Sequence, residues 1–216
     1  DRVDGILLTH AHMDHSGHIS FIHESVPIYS TALTAFIAKA IQDSGKSDFD
    51  QQVCYYSPVK QACPSGWRQE ALVSEKGDKV QRKFHIPAAE LKKLSHEAAG
   101  FWLSGFWEKG KKQKEILSSP LDSHSNSRFE LRCFPVDHSI PGACAWGINT
   151  EGGWVIYSGD LRLHGRRGAL TCGFIEEAAA LNPLALIIEG TNVTKTSNIS
   201  EQTVYENALR AIEQAR

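Results

Sequence analysis

The sequence predicts an α/β fold in which helices cover a mixed β-sheet. Short apolar runs typical of buried strands alternate along the chain with segments whose apolar residues repeat at helical spacing. Two strand-like runs flank NTEGG (residues 149–153), a hairpin signal that adds antiparallel pairing to the sheet. The 216 residues, 41% of them hydrophobic, suffice for a sizeable core.

The composition also narrows the classes of function. The net charge of −2 gives no overall attraction for nucleic acid or an anionic membrane. No apolar run approaches the roughly 20 residues of a membrane-spanning helix. The five cysteines are odd in number and contain no CxxC pair, which favours reduced thiols in a cytoplasmic protein.

The first part of the chain predicts strands alternating with helices. Its elements, in order, are a strand at DGILL (4–8), a short helix at ISFIHESV (19–26), a strand at PIYS (27–30) and a longer helix. Ser30 or Thr31 can cap the longer helix, and Gly45 ends it. The apolar residues at helical spacing in this helix are Leu33, Phe36, Ile37, Ala40 and Ile41.

The pattern is irregular from about residue 44 to 127, where a helix start at Pro87 and a polar loop at SSPLDSHSNS (118–127) are predicted. It becomes regular again after that. The later elements, in order, are a strand at FELRCFPVDHS (129–139), the hairpin strands ACAWGI (143–148) and WVIYSGD (154–160), a helix at GFIEEAAAL (173–181), a strand at LALIIEG (184–190) and a helix capped by Ser200.

Aromatic residues stand among lysines within the irregular stretch. The aromatics are Phe101, Trp102, Phe106 and Trp107, and the lysines are Lys92, Lys93, Lys109, Lys111, Lys112 and Lys114. Bases can stack on such aromatics while lysines hold phosphates. We favour the simpler interpretation, in which the aromatics are buried and the lysines are solvated.

A candidate metal site follows the first predicted strand directly. His10, His12, Asp14 and His15 form the pattern H-x-H-x-D-H. Two histidines two residues apart in an extended segment can bind one ion, and the two residues at the following turn can reach a second. Imidazole and carboxylate are the ligands expected for zinc, or for manganese where oxygen ligands predominate. A polar surface loop is the alternative, but this order directly after a buried strand favours a metal site.

Two residues at later strand ends are candidates for completing a two-metal site. His138 ends the strand at FPVDH, and Asp160 ends the strand at VIYSGD. Alone, each fits a capped strand end or a turn equally well. Together with the first cluster they become candidate ligands, because a carboxylate can bridge two ions.

These motifs resemble the metallo-β-lactamase fold. PVDHSIPGACAWGI, VIYSGDLRLHGR and LIIEGTNVT further resemble the beta-CASP nucleases, with ribonuclease J the most similar branch. The resemblance implies an αββα sandwich of mixed sheets flanked by helices, truncated at both ends. Residues 1–195 would form a metallo-β-lactamase domain that lacks its N-terminal strands and carries an insertion at about 45–127. Residues 196–216 would begin a beta-CASP cap.

The resemblance also implies the roles of single residues. His10, His12 and His138 would bind one divalent ion, Asp14 and His15 the other, and Asp160 would bridge the two. The ions would be zinc, with manganese as the alternative. Asp14 and Glu189 would be the catalytic residues, with Asp14 orienting the attacking hydroxide and Glu189 orienting a ligand. The chain departs from the family because no histidine follows His164, so the histidine that closes the second metal site has no counterpart.

The function implied is hydrolysis of phosphodiester bonds in single-stranded RNA, by two-metal hydroxide attack on phosphorus, as an exonuclease or an endonuclease. Asp160 stands where zinc β-lactamases carry a cysteine, which argues against a lactamase. The alternatives are a thioesterase or lactonase of the same fold, a DNA nuclease, and an inactive scaffold or RNA-binding fragment. We expect a cytoplasmic protein with no membrane partner, and the pattern is compatible with a homo-oligomer.

Overall fold

The computed structural model shows a mixed α/β chain with several sheets and helices, which confirms the predicted fold class at this level. The chain forms two compact units, Asp1–Asn126 and Ser127–Arg216. None of the helices described is long and apolar enough to cross a membrane. The structure describes residues 3–45, 49–63, 65, 71–74, 77–107, 113–191 and 193–215.

The first unit combines short strands with helices. Its described strands are β1 (Ile6–Leu7), β2 (Ile28–Tyr29), β3 (Tyr55–Tyr56), β4 (Val59–Ala62), β5 (Ala71–Ser74), β6 (Lys79–Gln81), β7 (Phe84–Ile86), β8 (Phe106–Trp107), β9 (Gln113–Lys114), β10 (Ile116–Leu117) and β11 (Asp122–Ser123). Its described helices are α1 (Met13–Ser16), α2 (Ala32–Ser44), α3 (Ala88–Leu91) and α4 (His96–Leu103), with 3₁₀ turns at Gly17–Phe21, Phe49–Gln51 and His124–Asn126.

A parallel sheet of order β1–β2–β7–β11 organises this unit. A second sheet has the order β10–β6–β3, and β4–β5 and β8–β9 are antiparallel pairs. Two local predictions were wrong. The short helix expected at 19–26 is a 3₁₀ turn at Gly17–Phe21, and Ile22 after it is already extended. The predicted polar loop at 118–127 contains β11, whose two residues pair with β7, a long-range partner that no local pattern reveals.

The predicted capped helix of the first unit is confirmed as α2. The Thr31 hydroxyl accepts a hydrogen bond from the Thr34 amide at 3.1 Å, which satisfies one of the donors left open at a helix start. Gly45 follows the last helical residue, as expected. The helix buries Ala35 and Ala38 on the face that packs into the unit.

Two polar side chains of α2 are buried and have polar partners. The Gln42 amide donates to the Tyr55 carbonyl at 2.6 Å, and its oxygen accepts from the Cys54 amide at 2.7 Å. The Lys39 ammonium, 0% exposed, lies 2.7 Å from the Asp43 carboxylate and 4.8 Å from the centre of the Phe101 ring. These contacts satisfy polar groups that would otherwise destabilise the interior.

The aromatic residues of the irregular stretch include one core side chain. Trp102 is buried, its indole N–H donates to the Ser119 carbonyl at 2.8 Å, and its ring lies 5.1 Å from the ring of Phe84. Trp102 is therefore buried, as the interpretation that we favoured predicts, whereas Phe101 is 39% exposed and departs from it. Three of the lysines in that hypothesis, Lys109, Lys111 and Lys112, lie outside the described residues.

The second unit is a four-stranded mixed sheet with two helices. Its elements are β12 (Glu130–Pro135), β13 (Cys144–Thr150), β14 (Gly153–Tyr157), α5 (Gly168–Ala180), β15 (Ala185–Ile187) and α6 (Glu201–Gln214). The strand order follows the sequence, with two antiparallel pairings and a parallel one between β14 and β15. The predicted hairpin is confirmed, because Thr150 pairs with Gly153 across a two-residue turn. The predicted Ser200 cap is also confirmed.

The core of the second unit lies between its sheet and α5. Phe134 of β12 packs against Phe174 of α5, with ring centroids 5.6 Å apart. Ala145 and Ile156, from β13 and β14, are buried in the same cluster. These apolar contacts hold the strands in place and therefore fix the positions of the residues at their ends.

The buried ion pair of α2 gives a stability prediction. We expect Asp43→Ala to lower the free energy of unfolding by about 3–5 kcal/mol, because it leaves the Lys39 ammonium buried without a carboxylate. We expect Lys39→Met to cost less, since the Asp43 side chain is 20% exposed and can reach water. Urea unfolding of both variants measures the difference, with Asp50→Ala at an exposed position as the control. A larger loss for Lys39→Met would contradict this account.

Candidate metal centre

The histidine-rich motif of the first unit follows β1 at the carboxyl end of the parallel sheet. The Leu8 amide donates to the Tyr29 carbonyl at 2.8 Å, which extends the pairing with β2 by one bond. The chain then leaves the sheet, and His12 is the extended residue that precedes α1. Ligands commonly bind at this edge in parallel sheets.

A single helical turn folds the motif back on itself. The amides of His15 and Ser16 donate to the His12 carbonyl at 3.0 and 2.9 Å, and the Ser16 hydroxyl donates to the same oxygen at 3.0 Å. The H-x-H segment is therefore extended and the D-H pair is helical. The side chains of the H-x-H segment and of the D-H pair can then point to the same side.

Two imidazoles of the motif lie against the ring of His10. The His10 ring centroid lies 4.8 Å from that of His12 and 4.1 Å from that of His15. A ring nitrogen of His10 lies within 4.8 Å of one on each of these two partners. His10 is buried, and the Thr9 hydroxyl lies 3.1 Å from its Nδ1, a contact that orients the ring.

Asp14 differs from these histidines in its exposure. Its side chain is 79% exposed, and its carboxylate lies 3.7 Å from Nε2 of His15, which is 23% exposed. The carboxylate therefore lies next to a candidate ligand and is also open to solvent.

In the second unit, strand direction brings the later candidate residues to one edge. β12 and β14 are both antiparallel to β13, and β15 is parallel to β14, so these three strands end at the same side of the sheet. His138, Asp160 and Glu189 follow these ends. His138 Nε2 lies 3.7 Å from a carboxylate oxygen of Asp160.

Glu189 fixes the backbone on either side of Asp160. Its carboxylate accepts a hydrogen bond from the Leu161 amide at 2.7 Å, and its own amide donates to the Ser158 hydroxyl at 3.2 Å. Between them, Gly159 has φ +56°, in the left-handed region that glycine adopts without strain. The turn that presents Asp160 is thus held by a glycine and by two bonds from Glu189.

A cavity of about 460 Å³ opens at this edge of the second unit. Its walls include the three predicted residues His138, Asp160 and Glu189, and also His164 in the loop that follows Asp160. The hydroxyl and amide groups that line it belong to Ser139, Thr191 and Asn198. The cavity therefore combines candidate metal ligands with neutral hydrogen-bonding groups.

Sequence reasoning missed a group of buried polar residues behind this edge. Asp137 is 2% exposed, and its carboxylate lies 3.3 Å from the Arg162 guanidinium. Thr171, in α5, is fully buried and bonds to the backbone of both residues. The only available signal was that Asp137 directly precedes one predicted ligand and Arg162 comes two residues after another.

The start of α6 joins the same loop through Glu201. Its carboxylate accepts a hydrogen bond from the Arg166 amide at 2.7 Å and lies 3.3 Å from the Arg162 guanidinium. That backbone hydrogen bond, followed by the charges of Arg162 and Arg166, holds the pKa of Glu201 below its ordinary value. Glu201 therefore stays ionised to lower pH than a free glutamate.

The donor atoms present suit a divalent ion. Imidazole nitrogens and carboxylate oxygens are ordinary ligands of zinc and manganese. Such groupings of histidine and aspartate could hold a metal ion. The five cysteines, all of which the structure describes, form no disulfide and are not part of these groupings.

Comparisons with known proteins bear on the fold. No family model matches the chain, and the search of curated proteins finds no match. Among solved structures, the chain is similar to a protein of unknown function from Enterococcus faecalis V583, with a TM-score of 0.55 and 22% identity. The likeness covers 97% of this chain and 39% of that protein. It shows a shared fold, and the chain spans well under half the length of that protein.

The loop behind the second-unit edge is packed too tightly for a larger side chain at Gly165. A Cβ there would clash with the Asp137 carboxylate and the Arg162 guanidinium. We expect Gly165→Ala to lower the free energy of unfolding by about 1–3 kcal/mol. Gly173→Ala in α5 is the matched control, since a Cβ there meets nothing within 4 Å. It should raise stability by up to about 1 kcal/mol, and equal unfolding temperatures for the two variants would refute the prediction.

Proposed function

We propose that the chain is a metal-dependent hydrolase with a metallo-β-lactamase fold, of the beta-CASP branch, that cleaves phosphodiester bonds in RNA. The observation that carries the proposal is the grouping of candidate ligands within each unit. His10 lies against His12 and His15 in the first unit. His138 lies against Asp160 in the second.

The proposed ligand assignment follows the resemblance. His10, His12 and His138 would hold one ion, Asp14 and His15 the other, and Asp160 both. Zinc is the expected ion and manganese the alternative. That the two units serve the same pair of ions is part of the proposal and rests on the order of the motifs in the sequence.

The residues of the chain would have separate tasks in this reaction. When bound, two divalent ions would supply the Lewis acidity that makes hydroxide available near neutral pH and neutralises charge on the phosphate. Asp14, largely exposed, would accept the proton of the attacking water and pass it to solvent. Glu189 would act as a positioning residue, because its carboxylate holds the amide next to Asp160.

Several features favour a phosphodiester substrate, and RNA in particular. Asp160 occupies the position of the β-lactamase cysteine, and EGTN (189–192) resembles the entry to a nucleic-acid-binding cap. HSIPG (138–142) and GDLRLHG (159–165) resemble the ribonuclease branch. Ser139, Thr191 and Asn198 in the cavity wall can hydrogen-bond to ribose and phosphate. The odd number of cysteines and the absence of a CxxC pair fit the proposed cytoplasmic location.

A substrate panel tests the proposed reaction. The purified chain, loaded with Zn²⁺ or Mn²⁺, is incubated with single-stranded RNA, single-stranded DNA of the same sequence, a thioester and a lactone. We expect metal-dependent cleavage of RNA that a chelator abolishes. Hydrolysis of the thioester or lactone alone would replace the nuclease proposal with another hydrolase of the fold. Metal binding without any turnover would favour an inactive scaffold.

The bridging role of Asp160 gives a prediction about metal content. We expect Asp160→Ala to lose more metal per chain than His10→Ala, because Asp160 would hold both ions and His10 only one. Elemental mass spectrometry of the dialysed proteins measures this, with His96→Ala, at an exposed position of α4, as the control. Circular dichroism of each variant checks that it has folded. Equal losses in the two ligand variants would count against a bridging carboxylate.

A further inference from the structure

We infer that Asp137, Arg162 and Thr171 form a positioning network that holds His138 and Asp160 at the separation that metal binding requires. This inference rests on the proposed metal-dependent function. The network lies entirely within the second unit, and none of its side chains is among the candidate ligands. Its proposed role is to set the separation of the two ligands next to it.

The Asp137 residue is the centre of the network. Its carboxylate lies 3.3 Å from Arg162 Nε and accepts a hydrogen bond from the Arg167 amide at 3.2 Å. Its carbonyl accepts a bond from the Arg162 amide at 2.9 Å. Asp137 therefore holds both ends of the loop that follows Asp160.

Thr171 adds a second connection between the same two segments. Its hydroxyl accepts a hydrogen bond from the Asp137 amide at 2.9 Å and donates one to the Arg162 carbonyl at 2.9 Å. A single buried hydroxyl thus bonds to the backbone next to His138 and to the backbone near Asp160. Because Thr171 is in α5, it also ties both segments to the helix that packs on the sheet.

The sheet alone does not provide this connection. β13 lies between β12 and β14, so the strands that lead to His138 and Asp160 do not share ladder hydrogen bonds. The network supplies direct bonds between these two segments beyond the ends of the strands. Since Asp137 precedes His138 and Arg162 follows Asp160 by two residues, little chain is left to absorb movement between the bonds and the ligands.

The consequence is preorganisation of the candidate ligands. A metal ion binds most tightly when its ligands already have the required separation, and loss of a supporting hydrogen bond typically weakens metal binding about 10- to 100-fold. A purely structural role would instead change the stability of the metal-free protein and leave the geometry of the bound ion unaltered. The two roles can therefore be separated.

The experiment compares three variants of the full chain with the wild type. Thr171→Val removes the bridging hydroxyl and keeps the side-chain volume, Thr171→Ser keeps the hydroxyl, and Asp137→Asn removes the charge beside Arg162. Thr150→Val is the matched control, because it removes a hydroxyl that bonds to the Gly153 carbonyl in the hairpin turn at the opposite edge. Zn²⁺ affinity is measured by competition with a chromophoric chelator, and unfolding of the metal-free proteins is measured by calorimetry.

Substitution with Co²⁺ supplies a readout of geometry, since the visible absorption of the bound ion reports the arrangement of its ligands. We expect Thr171→Val and Asp137→Asn to weaken Zn²⁺ binding about 10- to 100-fold and to shift the Co²⁺ bands. Thr171→Ser should restore both properties, and Thr150→Val should leave both unchanged. If Asp137→Asn does not fold, the comparison of valine with serine at position 171 carries the test.

The outcomes distinguish this inference from the proposed function. Wild-type affinity and Co²⁺ spectra in Thr171→Val would overturn the positioning role while leaving metal binding intact. An equal loss in Thr150→Val would assign the effect to general stability and would also overturn it. A wild-type chain that binds neither Zn²⁺ nor Co²⁺ would refute the proposed metal centre, and the inference with it.

Discussion

The direction of three strands is the constraint on which the second unit depends. A charged or imidazole side chain inside a strand would displace core packing, whereas the residue just past a strand end can reach solvent or a ligand. β12, β14 and β15 all end at one edge, and the residues beyond their ends supply polar groups there. Phe134 of β12 and Ile156 of β14 are buried in the core, whereas the residues of β15 are exposed. His138, Asp160 and Glu189 occupy the positions beyond the strand ends, so the direction of the strands brings them to the same edge of the sheet.

In the first unit, the candidate ligands are brought together over a much shorter stretch of chain. β1 is only two residues long, and its strand pairing is extended by a single backbone bond from Leu8. A one-turn helix then reverses the chain, and backbone bonds to the His12 carbonyl hold it. Contacts between residues close in the sequence therefore place the imidazoles of His12 and His15 against His10. In the second unit, a sheet is needed to bring the candidate ligands to one edge. This difference explains why the first motif is recognisable in the sequence alone.

Much of the fold could be predicted from signals between neighbouring residues. Elements that depend on pairing with distant segments could not be predicted in this way. The caps formed by Thr31 and Ser200 could be predicted because a capping hydrogen bond joins residues that are close in the sequence. β11 was missed because its strand character comes entirely from β7. The candidate ligands of the first unit could be proposed for the same local reason, whereas the Asp137–Arg162–Thr171 contacts join separate segments. No residue type in those three positions signals such a network without the structure.

The hairpin turn at Glu151–Gly152 has a practical consequence for work with this protein. It lies at the opposite end of β13 and β14 from the candidate ligands, and Thr150 closes it with its own hydroxyl bonds. Changes in loop length are tolerated best where few contacts depend on the loop. The turn is therefore a suitable attachment point for a fluorophore, an affinity peptide or a surface tether, because added residues there leave the opposite edge of the sheet undisturbed.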